Sequence, residues 1–292
     1  MADREHLLLR GPVHTVETEF AELDPDTSGW QPARRGPTWT FDREGRQDGH
    51  PSDEGSTVTT VDERGLRTTI GPRLPFIPRQ HGMEYGVGIG AVTRHDVLTR
   101  YDSYGRPVDV LCRGEAEKIL HRIMITYDDQ HRIVREQVLM GDTLGDLWSG
   151  SANSAGGVDP PSTEQREQFA AMLRTLMPDG VFATFEYTYD GHGRVAQRIR
   201  QMARMQKSRE TYTYDDFGNV TEQHHEGTDR DARIDDEGTL VMAPESSNEG
   251  WTRYEYRYDD RGNWVERVSL RRMGPEETFH RLAIERRTIA YF

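Results

Sequence analysis

Residues 253–267 read Arg253-Tyr254-Glu255-Tyr256-Arg257-Tyr258-Asp259-Asp260-Arg261-Gly262-Asn263-Trp264-Val265-Glu266-Arg267. Tyr254, Tyr256 and Tyr258 alternate with Arg253, Glu255 and Arg257, so an extended chain puts aromatics on one face and charges on the other. Asp259 opens a turn, because its carboxylate can accept backbone N–H bonds. Gly262 closes the turn by supplying the positive φ of a G1-bulge hairpin. After the turn, strict alternation sets Trp264, Glu266 and Val268 against Val265, Arg267 and Ser269. The stretch is a β-hairpin.

The same pattern recurs along the chain, and the repeat decides the fold class. Its turns begin at Asp42, Asp62, Asp102, Asp128, Asp190, Asp215, Asp235 and Asp259. The glycine slot holds Gly45, Gly65, Gly105, Gly193, Gly218, Gly238 and Gly262, and His131 in the copy that opens at Asp128. Successive turn aspartates lie 20, 40, 26, 62, 25, 20 and 24 residues apart. The shorter steps fit one hairpin plus its connection, and the steps of 40 and 62 mark insertions. Hairpins place neighbouring strands antiparallel, so the expected fold is all-β: a long antiparallel meander forming a curled sheet, or a barrel or shell closed in part. One continuous domain over residues 1–292 is expected, since repeat sheets grow by adding units.

An aromatic residue followed by Asp-x-x-Gly-[Arg/Asn] at this period resembles the YD repeats of the RHS, teneurin and toxin-complex group. The matches Tyr187–Val195, Tyr212–Val220 and Tyr254–Trp264 carry the resemblance. Leu9–Leu23 followed by Thr40–Arg46 is similar to the opening of small stand-alone bacterial YD-repeat proteins. The likeness covers roughly residues 10–70, 95–140 and 183–292. It implies a twisted antiparallel sheet, and association with a bacterial toxin or antagonism system.

Composition agrees with a sheet that has one wet face. Hydrophobic residues make up 34% of the chain and mean hydropathy is −0.84, low for a thick two-sided core. A net charge of −13 lacks the basic surface that nucleic acid requires. It describes a soluble acidic protein, or an acidic face complementary to a basic partner. Lysine occurs only at Lys118 and Lys207, so cation–π stacking and forked carboxylate pairs fall to arginine. Cys112 is the one cysteine, which excludes an intramolecular disulfide and a cysteine-rich metal site. Its alternation with Val108 and Val110 places it inside. The first residues lack a secretion signal and no stretch has membrane-spanning length, so a bacterial cytosol and no membrane partner are expected.

Two insertions interrupt the meander. At 71–94, Pro72, Pro75 and Pro78 exclude a central strand, and Gly86-Val87-Gly88-Ile89-Gly90 lacks the frame of a dinucleotide fingerprint. At 141–181, a Gly/Ser/Pro-rich loop leads into Ser162-Thr163-Glu164-Gln165, a capping box. An amphipathic helix over 163–177 follows, with Phe169, Met172, Leu173 and Leu176 on one stripe. That stripe either covers the sheet or contacts a partner.

Chemistry-bearing motifs are sparse. Asp24–Gly29 imitates the start of a calcium loop, but Arg35 stands where the bidentate Glu is required. His224 and His225 are strand neighbours and face opposite ways. His121 shares a face with Ile119, Ile123, Ile125 and Tyr127, as a core or rim histidine. No HExxH, Walker or GxSxG motif occurs. The expectation is a binding or scaffold protein without catalytic, metal or cofactor residues, joined to a protein partner such as a toxin or a secretion-apparatus component. A cytosolic immunity-type inhibitor of a cognate toxin, and an enzyme with its site inside the curled sheet, are the alternatives.

Overall fold

The structure is a computed structural model that describes residues 8–24, 27, 29–45, 58–62, 67–71, 96–113, 119–141, 162–177, 179–230, 232–234 and 240–292. Its strands are β1 (Val13–Glu22), β2 (Arg34–Thr40), β3 (Val58–Val61), β4 (Arg67–Gly71), β5 (Asp96–Tyr101), β6 (Pro107–Arg113), β7 (Ile119–Tyr127) and β8 (Ile133–Met140). Helix α1 (Thr163–Leu176) follows. The remaining strands are β9 (Val181–Tyr189), β10 (Val195–Met202), β11 (Gln206–Tyr214), β12 (Val220–Asp229), β13 (Ala232–Ile234), β14 (Leu240–Met242), β15 (Ser246–Tyr258), β16 (Trp264–Arg272) and β17 (His280–Tyr291).

Fifteen strands form one antiparallel sheet in the order β2-β1-β17-β16-β15-β12-β11-β10-β9-β8-β7-β6-β5-β4-β3, and β13 and β14 form a separate ladder. The meander is sequential from β3 to β12. It passes directly from β12 to β15 because β13 and β14 pair with each other. β17 then returns to β1, and β2 follows as the outer strand. The sheet is not closed into a barrel. Its two edges, β2 and β3, are consecutive in the chain. Edge strand β2 carries Arg34, Arg35 and Pro37, which discourage further pairing.

The hairpins run as their turn chemistry dictates, with one difference. Five of the aspartate hairpins contain a second irregularity, a register shift at Tyr101, Tyr127, Tyr189, Tyr214 and Tyr258 on the incoming strands, whereas β3 and β4 pair without one. The extra residue shifts the phase by one. Trp264 and Arg267 therefore share a face, with the guanidinium 5.2 Å from the indole centre, where strict alternation sets them apart.

One face of the sheet is buried, and its character changes along the sheet. Between β5 and β9 it is mainly aliphatic and aromatic: Val97, Val110, Cys112, Ile123, Ile125, Val138, Ala183 and Phe185 pack together, and a carboxylate among them, the fully buried Glu136, accepts from Tyr187 at 2.8 Å. From β10 onward Arg198, Glu210, Arg267 and Glu285 join the tyrosines on that face. A second cluster (Leu9, Val13, Val16 and Phe41) seals the β1 end. Of the two insertions, residues 72–95 and 142–161 lie outside the described residues. Helix α1 occupies the predicted position, and Gly180, at φ +69°, ends the segment that follows it.

Candidate functional site

The site is built from the turns upward. In the described aspartate turns the glycine-slot N–H donates to the aspartate carbonyl, at 3.0–3.1 Å for Gly45, Gly105, His131, Gly193, Gly218 and Gly262. Those residues have φ between +65° and +88°, the left-handed region that glycine enters without a Cβ penalty. One carboxylate oxygen of Asp190 accepts from the His192 and Arg194 amides, both at 2.9 Å, and the other takes Arg194 Nε at 2.8 Å. Asp102 and Asp128 bind Arg106 and Arg132 in the same way. Burial acts to raise these three carboxyls, but the arginine and backbone hydrogen bonds outweigh it and hold each below the usual range.

The residue after the glycine slot then clasps the tyrosine of the next repeat. Arg106 lies 4.3 Å over Tyr127, Arg132 4.3 Å over Tyr189, and Arg194 4.5 Å over Tyr214. The three tyrosine hydroxyls donate back to the carbonyls of Pro107, Ile133 and Val195. Where asparagine replaces arginine, the shorter side chain leaves one carboxylate oxygen open to the tyrosine. Tyr258 donates to Asp215, and Tyr291 to Asp259. Asn219 and Asn263 donate to the same phenol oxygens at 3.1 and 2.7 Å.

Eight residues beyond each aspartate, the phase-shifted strand aims one side chain onto the buried face: Arg198 after Asp190, and Arg267 after Asp259. Each stands in register between a tyrosine and a glutamate, as Tyr187–Arg198–Glu210 and Tyr256–Arg267–Glu285. Arg198 and Glu210 meet at 2.5 Å, as do Arg267 and Glu285. Arg287 lies 3.4 Å over Trp264 and, desolvated beside Arg267, falls to about 10.

The first row extends to a histidine. His225 is in register with Glu210, its Nδ1 3.6 Å from that carboxylate and its Nε2 2.9 Å from Asn248 Oδ1. Asn248 in turn donates to Asp229 at 2.8 Å. Burial alone would raise Glu210, but His225, Arg198 and Tyr212 outweigh it and bring it down to about 2. The Glu210 hydrogen bond raises His225 above its ordinary value, burial opposing. His225 and Asn248 line a 420 Å³ cavity with Gln223, Gly250, Thr252 and Met273. Gly227 makes the arrangement possible: a Cβ there would lie 2.6 Å from Asn248 Oδ1 and 2.9 Å from His225 Nε2.

The sequence-predicted positions are distributed as follows. Asp62 lies just after β3 and precedes the link to its partner β4, while Gly65 lies outside the described residues. Asp235 and Gly238 also lie outside them, in the link between the paired strands β13 and β14. On α1, Leu176 is buried and Met172 and Leu173 are half-buried; the Phe169 side chain lies outside the described residues. Leu176 and Met177 line a 370 Å³ cavity with Arg135, Thr184, Glu186 and Gln201. Cys112 is fully buried, and burial pushes its thiol up to about 11, far from a thiolate at neutral pH. Sequence reading missed the Arg198–Glu210–His225 row. The spacing from Asp190 to Arg198, repeated from Asp259 to Arg267, was its signal.

No family model matches the chain, and no curated protein matches it. Among solved structures, a porin-like protein from Bacteroides uniformis is similar at 10% identity and a TM-score of 0.41, over 97% of this chain and 99% of that one. The TcdB2-TccC3-Cdc42 structure contains a chain similar at 12% identity and a TM-score of 0.22, over 90% of this chain and 14% of that one. Neither likeness is near enough to carry an argument about function.

Proposed function

We propose that the chain is a YD-repeat scaffold that binds a protein partner and performs no turnover. The observation that supports this reading is the fate of the inner charges. Arg198, Glu210, Tyr212, His225, Asn248 and Asp229 are joined by hydrogen bonds to one another, as in a rigid framework. A general acid or base needs a group aimed at a substrate, with a pKa near the working pH. Glu210, at about 2, is a fixed anion.

The partner contact is assigned to the helical insertion at the half-buried Met172 and Leu173, Leu176 being buried. Loops and insertions on rigid scaffolds are the usual carriers of recognition. The resemblance of the repeats to the toxin-associated group, with a net charge of −13, makes a basic toxin or secretion-apparatus protein the partner of choice. A cognate toxin neutralised by binding would make the chain an immunity protein.

The test is parallel affinity purification with the wild-type chain and a Met172→Glu/Leu173→Glu variant. A stoichiometric protein retained by the first and lost by the second supports the reading. Retention that ignores the substitution removes the helix from it. The enzyme reading has its own support in His225 and Glu210 beside a 420 Å³ cavity. Turnover by the wild type that vanishes in His225→Ala would replace the scaffold with an enzyme.

A further inference from the structure

The opposite face of β12 carries a second cluster, separate from the buried row. His224, Glu226 and Glu249 each offer a ligand atom, and these atoms all lie within 4.8 Å of one another. His224 and Glu226 are two apart on β12 and so share a face, and Glu249 stands directly opposite Glu226 on β15. We propose that these three side chains bind a divalent transition-metal ion, which bridges β12 and β15.

The register carries the argument. Every other described strand pair in which both residues bear a formal charge joins opposite signs, as in Arg135–Glu186, Glu222–Arg253, Arg257–Glu266 and Glu19–Arg286. Glu226–Glu249 alone sets two carboxylates opposite each other. Like charges directly across a ladder repel. Arg209, 3.8 Å from Glu226 and half-exposed, offsets them in part. A bound cation turns the repulsion into attraction and ties together two strands that no hairpin joins.

The third ligand selects the class of ion. His224 Nε2 points into the cluster, 2.9 Å from Glu249 Oε1. Its ring is held flat on Trp251, with centroids 4.4 Å apart and planes 7° from parallel. The Arg272 guanidinium lies 4.5 Å from the same indole. An oriented imidazole with two carboxylates is a borderline-soft donor set. It suits zinc and its first-row neighbours rather than calcium or magnesium. Ligand bonds of about 2.0–2.2 Å require the two exposed glutamates to close by about 1 Å. His224 binds as the neutral imidazole, and any proton it carries leaves to solvent.

The experiment uses the full chain stripped with a chelator and titrated with Zn²⁺ by calorimetry. Ni²⁺ titration followed by tryptophan emission runs beside it, because an ion on His224 sits against the Trp251 indole. One equivalent of Zn²⁺ is expected, with a rise in Tm and quenching by Ni²⁺. Glu226→Gln and Glu249→Gln, which keep shape and hydrogen bonding, should each weaken binding more than about tenfold and abolish the Tm rise. His280→Ala, at an exposed histidine that opens β17, should change neither. Absence of stoichiometric Zn²⁺ binding, or binding that persists in both glutamine variants, overturns the proposal.

Discussion

The hydroxyl of Tyr214 donates to the carbonyl oxygen of Val195 at 2.6 Å, while the guanidinium of Arg194 lies 4.5 Å from the centre of the same ring. One phenol thus reads two consecutive residues of the preceding repeat, and Arg194 is itself forked onto Asp190. The contact links local turn chemistry to long-range order. Tyr214→Phe removes only the hydroxyl and should cost about 1 kcal/mol. Tyr214→Ala removes the ring as well and should cost about 3–5 kcal/mol. Urea denaturation checks both, with a lower midpoint and an unchanged slope for the phenylalanine variant.

Glu210→Gln tests the inner row. Arg198 would remain buried beside a neutral amide, and breaking such a pair costs about 3–5 kcal/mol. The pH dependence follows from two opposite shifts. Glu210 is lowered from 4.5 to about 2, so its contribution is complete above pH 4.5 and is lost as pH falls toward 2. His225 is raised, so its contribution is complete below its ordinary value of 6.5 and is lost as pH rises through its folded-state pKa. Stability from this pair should therefore peak between pH 4.5 and 6.5. NMR titration of the His225 ring should show the raised value in the wild type and its return toward 6.5 in Glu210→Gln.

Gly227 and Gly250 lie on the paired strands β12 and β15 and should respond differently. A Cβ on Gly227 meets Asn248 and His225 well inside contact distance, so Gly227→Ala should cost about 1–3 kcal/mol. A Cβ on Gly250 finds its nearest atom at 3.5 Å, an ordinary contact, so Gly250→Ala should change stability by about 0.5 kcal/mol or less. Thermal melts of the two variants in one buffer make the comparison.

The glycine slot offers a paired test of backbone strain. Gly193 sits at φ +78°, and Gly193→Ala should cost about 1–2 kcal/mol. His131 holds the same slot at φ +65° and bonds Arg106 at 2.8 Å, with its ring 4.6 Å from Tyr104. His131→Gly relieves strain of about 1 kcal/mol but loses contacts and chain stiffness of similar size. The net change should stay within about 0.5 kcal/mol, and the two midpoints measured side by side decide it.

What the sequence disclosed was whatever a few neighbouring residues determine. Asp190, Gly193 and Arg194 settle their own turn, and the alternation of Tyr254, Tyr256 and Tyr258 against Arg253, Glu255 and Arg257 reads correctly as buried against exposed face. The phase shift after the turns at Asp102, Asp128, Asp190, Asp215 and Asp259 was illegible, because the extra residue leaves no compositional trace. That shift moves Arg267 onto the face of Trp264. The meeting of Glu210 with His225 depends on the register between β11 and β12, and that of Glu226 with Glu249 on β12 bypassing β13 and β14. Neither choice is local. In a chain where arginine and glutamate populate both faces, charge alone does not tell an inward residue from an outward one.

The pairing of β1 with β17 sets Pro12 and Phe292 within hydrogen-bond reach, the Phe292 amide donating to the Pro12 carbonyl at 3.0 Å. Assembly therefore cannot finish locally: the first strand has no neighbour on that side until the last has emerged from the ribosome, which favours slow, late completion over stepwise growth. The same proximity makes the connectivity exchangeable. A circular permutant that joins Phe292 to Pro12 through a short linker and opens the chain at the exposed Gly191–His192 tip would keep every ladder of the sheet, with only the order of synthesis changed.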